Sequence, residues 1–284
     1  MKQVHLADGT PWPAIGLGTW RLGEQSSARR DEAAAVRRAI DLGYRLIDTA
    51  EMYGNGGAET VVGEALAAAL RAGDCRRDEL VVVSKVLPGH ASAQGVVTAC
   101  EQSLKRLRLD RIDLYLLHWP GPHPLAATID GFETLRARGA ITRWGVSNFD
   151  RAAMTDVMQV RAGTFCAINQ VYYSLGERGA DFDLRPWQRA CAMPLMAYCP
   201  IDQGALAGDA RLAALAGPLG LTAAQLALAW TVRDGDVIAI PKAVREPHLR
   251  DNLAAGEVTL DAATRAALDA LFPPPSRARP LATV

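Results

Sequence analysis

Seven apolar runs in this chain close abruptly on a polar or hydrogen-bonding residue. Arg45-Leu46-Ile47 closes on Asp48, Leu80-Val81-Val82-Val83-Ser84 on Lys85, and Ile112-Asp113-Leu114-Tyr115-Leu116-Leu117 on His118. Val146-Ser147 closes on Asn148, Ala167-Ile168-Asn169 on Gln170, Leu195-Met196-Ala197 on Tyr198, and Val237-Ile238-Ala239-Ile240-Pro241 on Lys242. A buried parallel strand is expected to be apolar throughout. Polar exits repeated from strand to strand fit a closed barrel of parallel strands, whose C-terminal ends meet on one face where active sites are built. The pattern predicts an enzyme whose catalytic groups arrive strand by strand.

The spacing supports that architecture. Strands are predicted at Ile15–Trp20, Arg45–Thr49, Leu80–Val86, Ile112–Trp119, Thr142–Asn148, Cys166–Tyr172, Pro194–Pro200 and Val237–Lys242, with helical patterns between them. Residues 27–42 follow a Ser26 cap and stop at Gly43. Residues 93–108 follow Ser92 and gather Val96, Val97, Cys100, Leu104 and Leu107 on one face. Thr222 and Gln225 have capping-box spacing for a helix through Val232. Two helical pieces split by Gly217-Pro218-Leu219-Gly220 fill the longest gap, and another is predicted at 261–271 before Pro273-Pro274-Pro275 opens a short tail. Ahead of the alternation, Asp8-Gly9 reads as a tight turn joining Gln3–Leu6 to Thr10–Pro13. The expectation is an α/β chain: a (β/α)₈ barrel as a single domain over 1–284, an N-terminal hairpin closing its bottom, and a short C-terminal tail.

Composition narrows the function classes. Lys plus Arg equals Asp plus Glu at 31 each, which argues against a nucleic-acid or anionic-membrane surface. The five cysteines are scattered with no CxxC pair, which predicts free thiols and no metal site. The N-terminal MKQVHLADGT lacks a signal-peptide core and no run has the length of a membrane helix. A cytoplasmic monomer acting on a small molecule is the expectation.

Four residues have complementary chemistry. A phenol titrates too high to exchange protons easily at neutral pH, and an ammonium such as Lys85 is expected to draw the Tyr53 value down. Asp48 would keep Lys85 charged. His118 would hydrogen-bond a carbonyl oxygen as it gains negative charge. Singly, each has an ordinary alternative: Lys85 a strand terminus, His118 a packed core side chain, Tyr53 a turn residue, Asp48 a helix cap. Those alternatives must hold together to remove the site.

The same segments carry a resemblance. Gly43-Tyr44-Arg45-Leu46-Ile47-Asp48-Thr49-Ala50-Glu51-Met52-Tyr53-Gly54, Ser84-Lys85-Val86, Leu117-His118-Trp119-Pro120, Gly145-Val146-Ser147-Asn148-Phe149 and Ile240-Pro241-Lys242 resemble the signature segments of the aldo-keto reductases, from about residue 4 to 272. The stretch Ala50 to Glu59 is most similar to the bacterial branch with methylglyoxal-reducing members. The resemblance implies Tyr53 as general acid, Lys85 and Asp48 tuning it, His118 orienting the carbonyl, and Trp20 and Trp119 beside the substrate. It also implies NADPH: Ser147, Asn148 and Gln170 at the nicotinamide carboxamide, Tyr198 stacked beneath the ring, Lys242 at the 2′-phosphate, and Asp251 and Asn252 near the adenine. Gly18, Thr19 and Trp20, with Cys199, Pro200 and Ile201, fall in cofactor-facing segments. Where many members have Arg six positions after the Lys, this chain has His248, so Arg245 or Arg250 would have to substitute and NADH use stays open. No GxGxxG follows the first strand, against a Rossmann site.

Two other functions remain open on the sequence. One is a Schiff-base aldolase with Lys85 as nucleophile. The other is a non-catalytic nucleotide-sensing subunit. For the pocket, the short tail predicts a shallow open mouth walled by Trp20, Trp119 and the loop Pro122–Leu125, suited to small reactive carbonyls rather than steroids.

Overall fold

Apolar strands between amphipathic helices build a closed barrel in the computed structural model, which describes residues 2–284. The hairpin strands β1 (Gln3–His5) and β2 (Pro11–Pro13) pair antiparallel. The barrel strands are β3 (Leu17–Gly18), β4 (Leu46–Asp48), β5 (Val81–Val86), β6 (Ile112–Leu117), β7 (Ile141–Ser147), β8 (Cys166–Tyr172), β9 (Leu195–Tyr198) and β10 (Val237–Ala239). They pair in parallel in sequence order from β3 to β10. A parallel bridge from Ile15 to Ala239 closes the ring, with Gly16 N donating to Ala239 O at 2.8 Å and Gly18 N to Pro241 O at 3.1 Å. At this seam Gly18 is required, because an added Cβ would lie 2.6 Å from Ile240 O.

Helices α1 (Arg29–Asp41), α2 (Gly57–Ala72), α3 (Ala93–Leu107), α4 (Leu125–Ala137), α5 (Arg151–Gln159) and α6 (Leu184–Ala190) each follow a strand from β3 to β8. α7 (Ala210–Ala216) and α8 (Ala223–Thr231) follow β9, and α9 (Glu246–Ala255) and α10 (Ala262–Leu271) follow β10. Ser92 caps α3 by accepting from Gly95 N, and Thr222 with Gln225 forms the predicted capping box on α8. The Ser26 cap does not form. α1 begins at Arg29 with Ala28 at its N-cap, because Glu32 accepts from Gly23 N at 2.8 Å and draws residues 21–28 into turns across the helix start. Several strands also stop short of their predicted exits, β6 at Leu117 and β10 at Ala239, where the chain turns over the barrel rim.

The hairpin lies at the N-terminal strand ends, where Arg143 of β7 donates to Asp8 Oδ2 and Thr10 Oγ1 at 2.6 and 2.8 Å. The opposite face is thereby left open. Behind the wall, buried Arg185 ties α6 to Asp234 and Asp236 at 2.8 and 2.7 Å. Burial opposes ionisation of Asp234, but Arg185, Arg233 and Arg265 outweigh it and hold that carboxyl at about 2. A depressed folded-state value contributes stability above the ordinary carboxylate range that is lost as pH falls toward it. Arg185→Gln is therefore expected to move acid unfolding, followed by circular dichroism, to higher pH; an unmoved transition would remove Arg185 from that balance. Among the described residues, no single helix is long and apolar enough to cross a membrane.

Candidate active site

Strand registry brings the four chemically complementary residues together. β4 ends on Asp48 and β5 carries Lys85, both fully buried. Lys85 Nζ donates to Asp48 Oδ2 at 2.8 Å, Thr49 O at 2.9 Å and Tyr53 Oη at 3.2 Å, which occupies the three protons of its ammonium. The second carboxylate oxygen, Asp48 Oδ1, accepts from Gln170 Nε2 at 2.7 Å. Tyr53 follows the β4 exit and meets the His118 ring edge-on at 5.7 Å between centroids. A nucleophilic amine needs a free lone pair and an approach path. Lys85 has neither, which removes the support for an aldolase.

Burial governs the electrostatics. It pulls Lys85 below and pushes Asp48 above their ordinary values, while each partner's charge opposes the change in the other. Tyr53 departs from the sequence expectation: burial, then Asp48 and Cys199, raise it well above its ordinary value. Burial and the Asp48 charge outweigh the pull of the nearby Lys85 ammonium. The phenol is thus firmly protonated, the state an acid must start from. Burial and Lys85 hold His118 at about 2, so its imidazole is neutral and hydrogen-bonds without charge. Its buried Nδ1 has no partner among the described residues.

Beside this group Ser147 ends β7 and Asn148 follows in the left-handed region at φ 62°. Asn148 Nδ2 donates to His118 O at 3.0 Å, and Asn148 Oδ1 accepts from Tyr198 Oη at 2.7 Å. These residues border a cavity of about 980 Å³, with Gln170 between them. Trp20, Trp119, Cys199, Pro200 and Ile201 form further walls. Burial, then Asp202, raises the Cys199 thiol to about 11, so it is protonated and not primed for reaction. Lys242, His248, Asp251 and Asn252 line the cavity as well.

Not every expected residue reaches the cavity. Gly18 and Thr19 are buried in the rim, where Thr19 Oγ1 donates to Asp48 O at 2.9 Å. Arg245 stands at the N-cap of α9, outside the lining, and Arg250 is paired with Glu246 at 2.7 Å.

The walls differ from the prediction in two ways. Arg21 lines the cavity, stacked 4.5 Å over the Trp20 ring, with no ion-pair partner among the described residues. Its only sequence signal was a basic residue beside Trp20 at a strand exit. The loop Pro122–Leu125 takes no part in the lining, whereas the tail does: Thr283 and Val284 border the cavity. Arg178 pins the end of α10, from which the tail departs, donating to Asp269 Oδ1 at 2.7 Å and Phe272 O at 2.6 Å. Further on, Tyr198 Oη reaches Ala282 O at 3.4 Å. The mouth is therefore walled on the tail side rather than open.

Residues 14–272 match the Aldo/keto reductase family. Methylglyoxal reductase YeaE of Escherichia coli (strain K12) is 45% identical over 279 residues, covering 96% of each chain. An aldo/keto reductase from Klebsiella pneumoniae, solved in complex with NADP and acetate, superposes with a TM-score of 0.94 at 45% identity, covering 100% of this chain and 99% of that one. A Klebsiella pneumoniae aldo-keto reductase in complex with NADPH superposes at 0.93 and 44% identity, with both chains fully covered.

Proposed function

The chain belongs to the aldo/keto reductase family and is an oxidoreductase, and from that premise we propose that it reduces small aldehydes and 2-oxoaldehydes to alcohols with NADPH. The observation that carries this reading is the convergence of Asp48, Lys85, Tyr53 and His118 beside a cavity that Lys242 and His248 also line. A cavity of about 980 Å³ with aromatic, polar and basic lining fits an extended dinucleotide. Similarity to a methylglyoxal reductase supports the substrate class, and similarity to NADP- and NADPH-bound enzymes supports the cofactor.

Bound NADPH supplies the hydride. Ser147, Asn148 and Gln170 would hold its carboxamide, Tyr198 its ring, Lys242 and His248 its 2′-phosphate, and Asp251 and Asn252 its adenine. Neutral His118 hydrogen-bonds the substrate carbonyl oxygen and orients it toward Tyr53. Tyr53 Oη gives that oxygen its proton as negative charge develops there. The resulting phenolate is stabilised by Lys85 at 3.2 Å, with Asp48 fixing the ammonium in place. Trp20, Trp119 and the tail confine the mouth, which favours small carbonyls over bulky ones.

An absorbance assay of NADPH and NADH oxidation over a panel of aldehydes and steroid ketones tests the reading. Turnover of methylglyoxal and simple aromatic aldehydes is expected. No turnover of any aldehyde would favour the nucleotide-sensing alternative, and a steroid used more efficiently than every aldehyde would overturn the substrate class. Lys242→Ala is expected to weaken NADPH far more than NADH, because only NADPH carries the 2′-phosphate. The loss should be about 1.5 kcal/mol, the low end for a charge-assisted hydrogen bond, since Lys242 is exposed. Equal weakening in fluorescence titrations would remove Lys242 from phosphate recognition.

A further inference from the structure

Glu59 is a carboxylate with no exposure, and the chemistry above gives it no task. It lies in the first turn of α2, outside the barrel wall. Oε1 accepts from Ser84 Oγ at 2.6 Å and Oε2 from Arg106 Nε at 2.5 Å. Successive strand residues face opposite sides, so Ser84 turns outward to Glu59 while its neighbour Lys85 turns inward to Asp48 and Tyr53. An apolar peg would hold helix to strand as well as a buried carboxylate paired with a partly exposed arginine does. The carboxylate therefore calls for another explanation.

The chain between Tyr53 and Glu59 points to one. Gly54, Asn55 and Gly56 follow Tyr53 with φ of 56°, 51° and 84°. Three consecutive left-handed residues, one with a side chain, store strain unless the surroundings fix them. Arg106 does part of this, since a Cβ on Gly56 would lie 2.7 Å from its Cδ. The segment that aims Tyr53 is thus seated on the pair that binds Ser84.

We propose that Glu59 is a positioning residue, which clamps the base of the Tyr53 segment to β5 at Ser84. The proposal rests on Tyr53 being the acid. Lys85 is faced by Asp48, Tyr53, His118 and Glu59. Burial pulls it down most strongly, and Asp48 and then Glu59 resist. Glu59 in turn is faced by Arg106, Cys100 and Tyr115. Nearby Glu51 is engaged elsewhere, accepting from Leu87 N at 2.7 Å and meeting His90 at 3.0 Å.

The test compares Glu59→Gln, Ser84→Ala and Tyr53→Phe with wild type in the full chain, measuring kcat, and cofactor affinity by fluorescence. Glu59→Gln weakens the clamp at Ser84 and Arg106, so kcat should fall about ten- to hundredfold at unchanged NADPH affinity. Ser84→Ala loses only the hydrogen bond to Glu59. It should also lower kcat at unchanged NADPH affinity, a split that a merely structural role would not produce. Wild-type kcat in Glu59→Gln overturns the proposal, whatever the melting temperature. If that variant does not fold, wild-type kcat in Ser84→Ala overturns it, and a kcat loss at unchanged affinity sustains it. Lost turnover in Tyr53→Phe with wild-type behaviour in Glu59→Gln overturns this proposal alone. Retained turnover in Tyr53→Phe overturns the acid assignment as well.

Discussion

Tyr53→Phe is expected to bind NADPH as wild type does and to lose nearly all turnover. The substitution removes one oxygen that touches Lys85 Nζ at 3.2 Å and leaves the ring edge-on to His118. General acid catalysis is typically worth ~10²–10⁴-fold, and the loss should fall in that range. No other donor stands ready: neutral His118 is a poor proton source, and Lys85 has its protons engaged by Asp48, Thr49 and Tyr53. Steady-state rates with methylglyoxal, beside fluorescence titration of NADPH, decide the matter. A variant retaining more than about a tenth of wild-type turnover would show that the proton comes from elsewhere.

Asp48→Ala should act on stability as well as rate. The carboxylate lies between Lys85 Nζ and Gln170 Nε2, and its loss takes one acceptor from each of two buried donors and the counter-charge from Lys85. Breaking a buried pair by deleting one partner costs about 3–5 kcal/mol, because the remaining charge is left uncompensated. Lys85, already drawn down by burial, would then shed its proton and no longer stabilise a phenolate. Urea unfolding and turnover should both fall. Asp48→Asn, similar in shape but uncharged, separates the effects: it should retain more stability yet remain poor in turnover. Stability of Asp48→Ala within about 1 kcal/mol of wild type would mean that Lys85 is not a buried cation.

The barrel and the polar strand exits were legible because Asp48, Lys85 and His118 each interrupt or close an otherwise apolar run. Asp48, Lys85 and His118 have no business at the end of a buried strand unless something there uses them. Capping by Ser92 and Thr222 was legible for the same local reason. What escaped was non-local. Ser26 has the chemistry of a cap, but the bond from Gly23 N to Glu32 claims the helix start. The raised Tyr53 follows from burial, which no spacing of residues reveals. Arg21 and Glu59 take their settings from Trp20, Ser84 and Arg106, and only Arg21 is next to its partner in sequence. The tail misled most, since its course past the cavity rests on contacts far apart in sequence, Tyr198 with Ala282 and Arg178 with the end of α10.

That course bears on how the protein should be handled. Ala282 touches the hydroxyl of Tyr198, and Thr283 and Val284 edge the cavity. An affinity tag fused after Val284 would emerge beside the mouth and present its own side chains to incoming aldehydes. The hairpin end of the barrel, pinned by Arg143 on the opposite face, is the quieter attachment point. Substrate profiles gathered from carboxyl-terminal fusions would describe the fusion, and immobilised preparations anchored there would face their catalytic mouths toward the support.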